Sequence, residues 1–409
     1  MSAVKPFETR AVLSLASLYI VRMLGLFMVL PVLILSGADY TQSNVFLLGI
    51  ALGIYGLTQA CLQIPFGILS DRFGRKRLII IGIIIFALGS VLAATAVSIQ
   101  GLIFGRALQG AGAIAGVIIA MVGDMTSSET RTKAMATIGA SIGVAFALSL
   151  VVGPLLTAAG GVRWIFWLTL ALSVIAIAIV IWIVPPENNS NKHRLVSLKG
   201  LRQVTMNPDL LRLNLGIFIL HAVLMSLFVA LPLLLQTINI LPAQHAWVYL
   251  GVMGISFVLM VPLIILGERK GNVKPIFLCL LLIAASALLS LGFMSMRSDI
   301  QTETMAVLIL VAILGFFIGF NYLEATLPSL MSKTVDEAHR GTGSSVFSTF
   351  QFFGAAVGGI LGGWLFNRYG IAGLMFCCAA ALFLWWLLAC NMTMPKPSQN
   401  TVDVDNVLV

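Results

Sequence analysis

Charge is scarce in this chain. Asp, Glu, Lys and Arg make up 10% of its 409 residues, against about 25% in a soluble domain, and that excludes a large water-solvated fold. Cysteine is equally unproductive. Cys61, Cys279, Cys377, Cys378 and Cys390 all lie in apolar runs, without Cys-x-x-Cys spacing and with no histidine nearby. They read as small buried hydrophobes, with no framework for a metal centre or a disulfide. No Gly-x-x-x-x-Gly-Lys-Ser/Thr loop occurs, so an ATP-driven pump is not expected. With no nucleophile elbow and no Cys/His cluster, neither an enzyme nor a cofactor is expected. A cleavable signal peptide is not expected either. Residues 1–10 are mixed in charge, and the first apolar run is too long and has no small-residue cleavage site.

Apolar residues fill the place of the missing charge. They amount to 59% of the chain, and the mean hydropathy is +1.05. The long runs predict membrane-spanning helices near 11–36, 46–70, 77–97, 99–124, 132–160, 163–184, 213–237, 245–267, 274–294, 304–331, 342–368 and 371–394. The expected fold class is therefore an all-α polytopic membrane protein of twelve helices. If both termini face the cytoplasm, only Arg163, Arg297 and Arg368 of the 24 basic residues fall on the outer side, with Arg22 and Arg106 inside spans. That asymmetry orients the chain with N and C termini inside. It also explains the net charge of +9 without nucleic acid. The longest polar stretch, 185–212, separates a six-span bundle (1–184) from a second (213–394) and reads as a linker with a short amphipathic helix at 196–204. Residues 395–409 form a tail.

The two bundles echo each other. Phe27 to Ile34, through Pro31, is similar to Phe228 to Leu235, through Pro232. The charged hairpin Gly67-Ile68-Leu69-Ser70-Asp71-Arg72-Phe73-Gly74-Arg75-Lys76 has a worn copy at Gly267-Glu268-Arg269-Lys270-Gly271. Asp71 and Arg75, four apart, can meet across the turn. Gly67 is expected to let two helices approach closely, and Gly74 to permit the turn.

The pattern Gly-x-x-x-Asp-x-x-Gly-Arg-Lys resembles the signature of the major facilitator superfamily of secondary transporters, and the likeness extends over nearly the whole chain. It is narrowest toward drug-efflux-like members of the YajR-like branch. The phrases that carry it are Arg22-Met23-Leu24-Gly25, Gly53-Ile54-Tyr55-Gly56-Leu57-Thr58-Gln59, Gln63-Ile64-Pro65-Phe66-Gly67, Arg106-Ala107-Leu108-Gln109-Gly110 and Phe320-Asn321-Tyr322-Leu323-Glu324-Ala325. Proteins of that branch usually carry a ferredoxin-like cytosolic domain at the C terminus. The chain ends shortly after the last span, so none is expected here. The resemblance implies two six-helix pseudo-repeats and a conformational latch at the cytoplasmic mouth, made of Gly67, Asp71, Arg72, Gly74, Arg75 and Lys76 with Asp124 as a further member. Pro31, Pro232 and the pair Gly153-Pro154 are the expected helix bends. The family's antiporters follow that pair with Gly-Gly, where this chain has Leu155-Leu156.

Titratable groups inside spans are costly and mark function by default. Arg106, Gln109, Gly110 and Ala113 share one face of span four. Arg22 lies in span one about 16 Å from the cytoplasmic end, and His221 (span seven) and Glu324 (span ten) about 10–13 Å from it. In the family, spans one, four, seven and ten line the central cavity. The expected proton-coupling residues are therefore Glu324, His221, Arg22 and Arg106. The expected cavity residues are Arg22, Gln109, His221, Asn321 and Glu324. The expected activity is proton-coupled transport by alternating access, with export of a small amphipathic compound (antiport) ahead of nutrient import (symport), and both ahead of a non-transporting receptor or scaffold. The expected setting is a monomer in a bacterial inner membrane, with lipid, protons and a small-molecule substrate as partners and no nucleic acid or metal.

Overall fold

Each apolar run folds as helix, because in hydrocarbon every backbone N–H and C=O must be paired within its own segment. The computed structural model describes residues 6–186, 205–297, 301–336 and 340–393. The expected linker helix at 196–204, the tail 395–409 and the side chains of Glu268 and Arg269 lie outside the described residues. The helices are α1 (Pro6–Phe27), α2 (Val45–Phe73), α3 (Arg75–Thr95), α4 (Ile99–Ala111), α5 (Ala115–Met125), α6 (Ser128–Gly160), α7 (Arg163–Ala178, running on as a π-turn over Ile179–Ile183), α8 (Pro208–Thr237), α9 (His245–Lys270), α10 (Val273–Met294), α11 (Thr302–Thr334) and α12 (Arg340–Cys390). Polar side chains set several starts. Asn44 accepts the Leu47 N–H at 2.8 Å, Ser98 that of Gly101 at 3.2 Å, and Asn207 those of Asp209 and Leu210, with Pro208 in the first turn. Each pairs an N–H that the helix itself leaves open.

Helices and spans do not correspond one to one. Span four is two helices, α4 and α5, broken at Gly112–Ile114, where the sequence predicts one helix over 99–124. Gly110 and Gly112 lower helix propensity there, and a side chain at 112 would run into the Gly82 carbonyl. Conversely, α12 is 51 residues long with Gly370 at φ 66° inside it, and this divides it into two spans. Twelve spans result among the described residues. Span one is helical only to Phe27. Residues 28–36 continue as consecutive turns, with Leu30 N–H on Phe27 O and Leu33 N–H on Val29 O, because Pro31 has no N–H to extend the ladder. The other two expected bends do not interrupt their helices: α6 runs through Pro154 and α8 through Pro232. Gly153 instead gives room to the Met28 carbonyl of the turn segment.

The two halves meet along a seam of glycine. Cβ atoms placed at Gly49, Gly53 and Gly56 of α2 would lie 2.6, 2.5 and 2.6 Å from the carbonyl oxygens of Gly359, Ala356 and Phe352 of α12. Only glycine allows two backbones to come so close. On its other face α12 presses Gly354 and Gly358 against the backbone of Phe218 and Ala222 in α8. The seam occupies the end of α2 away from the hairpin. At the hairpin end, Gly67 has nothing within 4 Å of where its Cβ would be. The close approach expected of Gly67 is therefore not made in this conformation.

Two buried arginines hold the first half together. Arg22 of α1 donates to the carbonyl of Gly112, at the end of α4, and to Gln59 Oε1. Arg106 of α4 donates to the Gly25 carbonyl in the last turn of α1 at 3.3 Å, to Ala51 O at 3.4 Å and to Gln109 Oε1 at 2.9 Å. Each helix thus supplies the cation that caps the carbonyl end of the other, where the helix dipole is negative. The Tyr55 ring lies between them, 5.8 Å from Arg22 and 4.9 Å from Arg106, within cation–π range.

Two outcomes follow for thermal unfolding in detergent. Gly53→Ala overpacks the seam and loses about 1–3 kcal/mol, while Gly67→Ala leaves the midpoint unchanged. Arg106→Met strands the Gly25 carbonyl and the Gln109 amide oxygen and loses about 3 kcal/mol.

Candidate functional site

A narrow cleft opens between the halves. Tyr19, Met23, Leu26 and Phe27 of α1 and Ile142 of α6 face His221 and Met225 of α8 and Gln351, Phe352 and Ala355 of α12. Its wall is mostly apolar, with the tyrosine, histidine and glutamine as polar groups. That is the usual make-up of a small-molecule site.

Behind the polar wall lies a three-residue network. Gln351 Nε2 is 2.9 Å from His221 Nε2 and 3.2 Å from Glu324 Oε1. His221 Nδ1 is 3.2 Å from the Ile217 carbonyl. A carbonyl only accepts, so Nδ1 carries the hydrogen, and Nε2 is bare and accepts from Gln351. The ring is the neutral tautomer, and the two hydrogens of the Gln351 amide serve the imidazole and the carboxylate. Glu324 Oε2 is buried without a hydrogen-bond partner, 3.8 Å from His221 Nε2.

The residues expected to form one coupling centre fall into two places. His221 and Glu324 come together, on α8 and α11. Arg22 and Arg106 do not join them. Both are committed to helix ends in the first half, because broken helices offer carbonyl acceptors nearer than any carboxylate. Gln109, expected in the cavity, is fully buried and donates to Ser90 Oγ at 2.8 Å. Asn321 is also turned away, donating to Ser256 Oγ of α9 at 2.7 Å. Tyr19, three residues before Arg22 on α1, lines the cleft with His221 and Gln351.

At the hairpin, Arg75 is the centre. It pairs with Asp71 at 2.7 Å and Asp124 at 2.8 Å and donates to Ser70 Oγ at 2.8 Å, which ties α2, α3 and α5. Gly74 has φ 98° and ψ 140°, a conformation that favours glycine. Lys76 donates to the carbonyls of Ile181 and Val184 at the end of span six. Arg72 lies over the Phe73 ring at 5.5 Å.

Gln351 and Tyr19 are the site residues that the sequence reading passes over. A glutamine inside an apolar span, three residues before a glycine run, is a signal of the kind that singles out Glu324. Tyr19 carries no such mark, because tyrosine is ordinary in a span.

The model of the Major Facilitator Superfamily matches residues 15–359 and, in a second match, 213–405. The "Inner membrane transport protein YajR" of Escherichia coli is 44% identical over 396 residues, covering 95% of this chain and 85% of that protein. The "Multidrug resistance protein MdtH" of Yersinia pestis is 25% identical over 353 residues, 84% of each. The crystal structure of a D-xylose-proton symporter matches with a TM-score of 0.75 at 14% identity, covering 97% of this chain and 99% of that one. At that identity it shows the fold alone. With twelve spans in two similar halves, a cleft between them and these matches, the chain belongs to the major facilitator superfamily of membrane transporters.

Proposed function

We propose that the chain is a proton-coupled secondary transporter that works by alternating access and exports small amphipathic compounds from the cytoplasm. The observation that carries the reading is the half-buried His221–Gln351–Glu324 network with its unpartnered carboxylate oxygen, at the wall of a cleft between the halves. Glu324 is the proton acceptor in this reading, and His221 its partner. The mostly apolar cleft suits an amphipathic cargo, and the sequence relationship to a protein named for multidrug resistance supports export. Each inward proton supplies about 2.3 kcal/mol per 100 mV and about 1.4 kcal/mol per pH unit.

In the same reading the protein is a monomer in a bacterial inner membrane with both termini cytoplasmic, as the distribution of basic residues favours. The conformation is then open to the cytoplasm. The glycine seam closes the far end, and Gly67 faces empty space at the hairpin end. The Asp71–Arg75–Asp124 cluster acts as the latch, keeping α2, α3 and α5 one rigid body while α12 swings toward Gly67 in the opposite state.

The test begins with a survival screen against amphipathic toxic compounds in a host stripped of its own exporters. The compound it identifies is then assayed in proteoliposomes. Glu324→Gln is expected to lower pH-driven exchange by about two orders of magnitude, the worth of a positioned proton acceptor, with the folded protein retained. Exchange as fast as in the wild type would remove Glu324 from the proton path. Proton flux along with the compound, instead of against it, would replace export by symport.

A further inference from the structure

Gln351 stands where the cleft, the proton site and the seam meet. It lines the cleft, it donates to His221 and Glu324, and the carbonyl of the next residue, Phe352, lies against Gly56 of α2 in the seam. We propose that Gln351 is a positioning residue that passes the protonation state of Glu324 to the contact between the halves. The inference rests on the reading of Glu324 as the proton site.

The chemistry follows from the hydrogen count. Both hydrogens of the Gln351 amide are committed, one to a bare imidazole nitrogen and one to a carboxylate oxygen. This holds α12 to α8 and α11 at one level. A proton from water that binds Glu324 at Oε2 forms an O–H bond there, and the side chain goes from one negative charge to none. Two things change together. The carboxyl group becomes a weaker acceptor at Oε1, since a hydrogen bond to a charged group is about twice as strong as one to a neutral group. It also becomes a donor at Oε2, 3.8 Å from His221 Nε2, so that a shift of about 1 Å brings it within bonding reach. The single lone pair of Nε2 accepts one hydrogen bond. The new O–H and the Gln351 N–H therefore compete for it. When the acid takes it, Gln351 has lost one anchor and kept only a weakened second. The Gln351 side chain is then loosened one residue before the contact of Phe352 with Gly56, while Gly354 and Gly358 keep α12 on α8. Loss of the proton to water reverses each step.

The groups around the network leave this competition in place. From α1, Tyr19 is the titratable residue that lines the same cleft, and it is a neutral phenol at working pH. The Phe320 ring of α11 lies 6.2 Å from the His221 ring, and α6 contributes Ile142 to the same cleft. Arg22 is engaged by Gly112 and Gln59.

Two readouts on the purified protein in detergent test the proposal. The first is the infrared carboxyl band as pH is stepped, assigned to Glu324 by its loss in Glu324→Gln. The second is the distance between nitroxides at Phe73→Cys and Gly341→Cys, on α2 and α12 at the hairpin end, with the native cysteines replaced by alanine. In the wild type the distance is expected to change at the pH where the band titrates. Gln351→Met keeps the length of the side chain but cannot donate. It removes a hydrogen bond that favours the ionised carboxylate, so the band's midpoint moves to higher pH by about one to two units, roughly ten- to a hundredfold in proton affinity. The distance then no longer follows the band. Gln351→Asn keeps the amide but is too short to reach both partners, and it gives a second variant with the same expected uncoupling. An unchanged midpoint in both variants, or a distance that still follows the band in them, overturns the proposal. A wild-type band that does not titrate at all overturns the assignment of the proton to Glu324 instead, which keeps the two failures apart.

Discussion

The exchange of arginines between α1 and α4 sets the geometry of the first half. A guanidinium group buried in a membrane bundle requires acceptors, and here they are carbonyls released by two interrupted helices. Arg22 meets the break after Ala111, and Arg106 meets the last turn before the turn segment 28–36. Neither interruption is tolerable in hydrocarbon without a donor to fill it, and neither arginine is tolerable without the interruption. The break after α4 fixes where α5 begins, and so where Asp124 meets Arg75. The end of α1 fixes the path of residues 28–36, and so the contact with Gly153 and one wall of the cleft.

The second half carries a separate polar network. His221, Gln351 and Glu324 share two hydrogen bonds and leave one carboxylate oxygen open. In the proposed reading, a single proton at that oxygen favours a second arrangement of the three side chains. In the proposed reading the halves divide the labour: permanent charges brace the first, and the proton-binding carboxylate sits in the second. Duplicated architecture does not require duplicated chemistry, and the faded hairpin copy at Gly267–Gly271 shows the same divergence.

Much of this was legible in the sequence, for identifiable reasons. Spans are set by hydropathy, and hydropathy is local. The hairpin was legible because Asp71, Gly74 and Arg75 sit a turn apart, and the structure pairs Asp71 with Arg75 and bends at Gly74. The proximity of His221 and Glu324 followed from similar depth on neighbouring lining spans. Depth did not place Arg22, and a shared helix face did not place Arg106 and Gln109. Depth gives the height of a side chain in the bilayer, and periodicity gives its helix face, but neither says which neighbour that face meets. Nor does either give a sign that α4 stops at Ala111 and presents carbonyls to Arg22. Gly67 was read as a packing residue from its type. Its neighbour depends on the conformation, and a sequence has no conformation. Gln351 was passed over because it lies in none of the phrases that carry the resemblance, although buried amides must be satisfied as strictly as buried charges.

The seam between α2 and α12 has a mechanical consequence. Ordinary helix contacts interlock, with side chains of one helix seated in depressions of the other, and moving such helices requires rotamers to change in step. Gly49, Gly53 and Gly56 set backbone against backbone along this line, with no projections to seat. The line behaves as a plain bearing. It resists separation through its many close atomic contacts, but it offers little friction to rocking, so the two halves can tilt about it without first melting a packed surface.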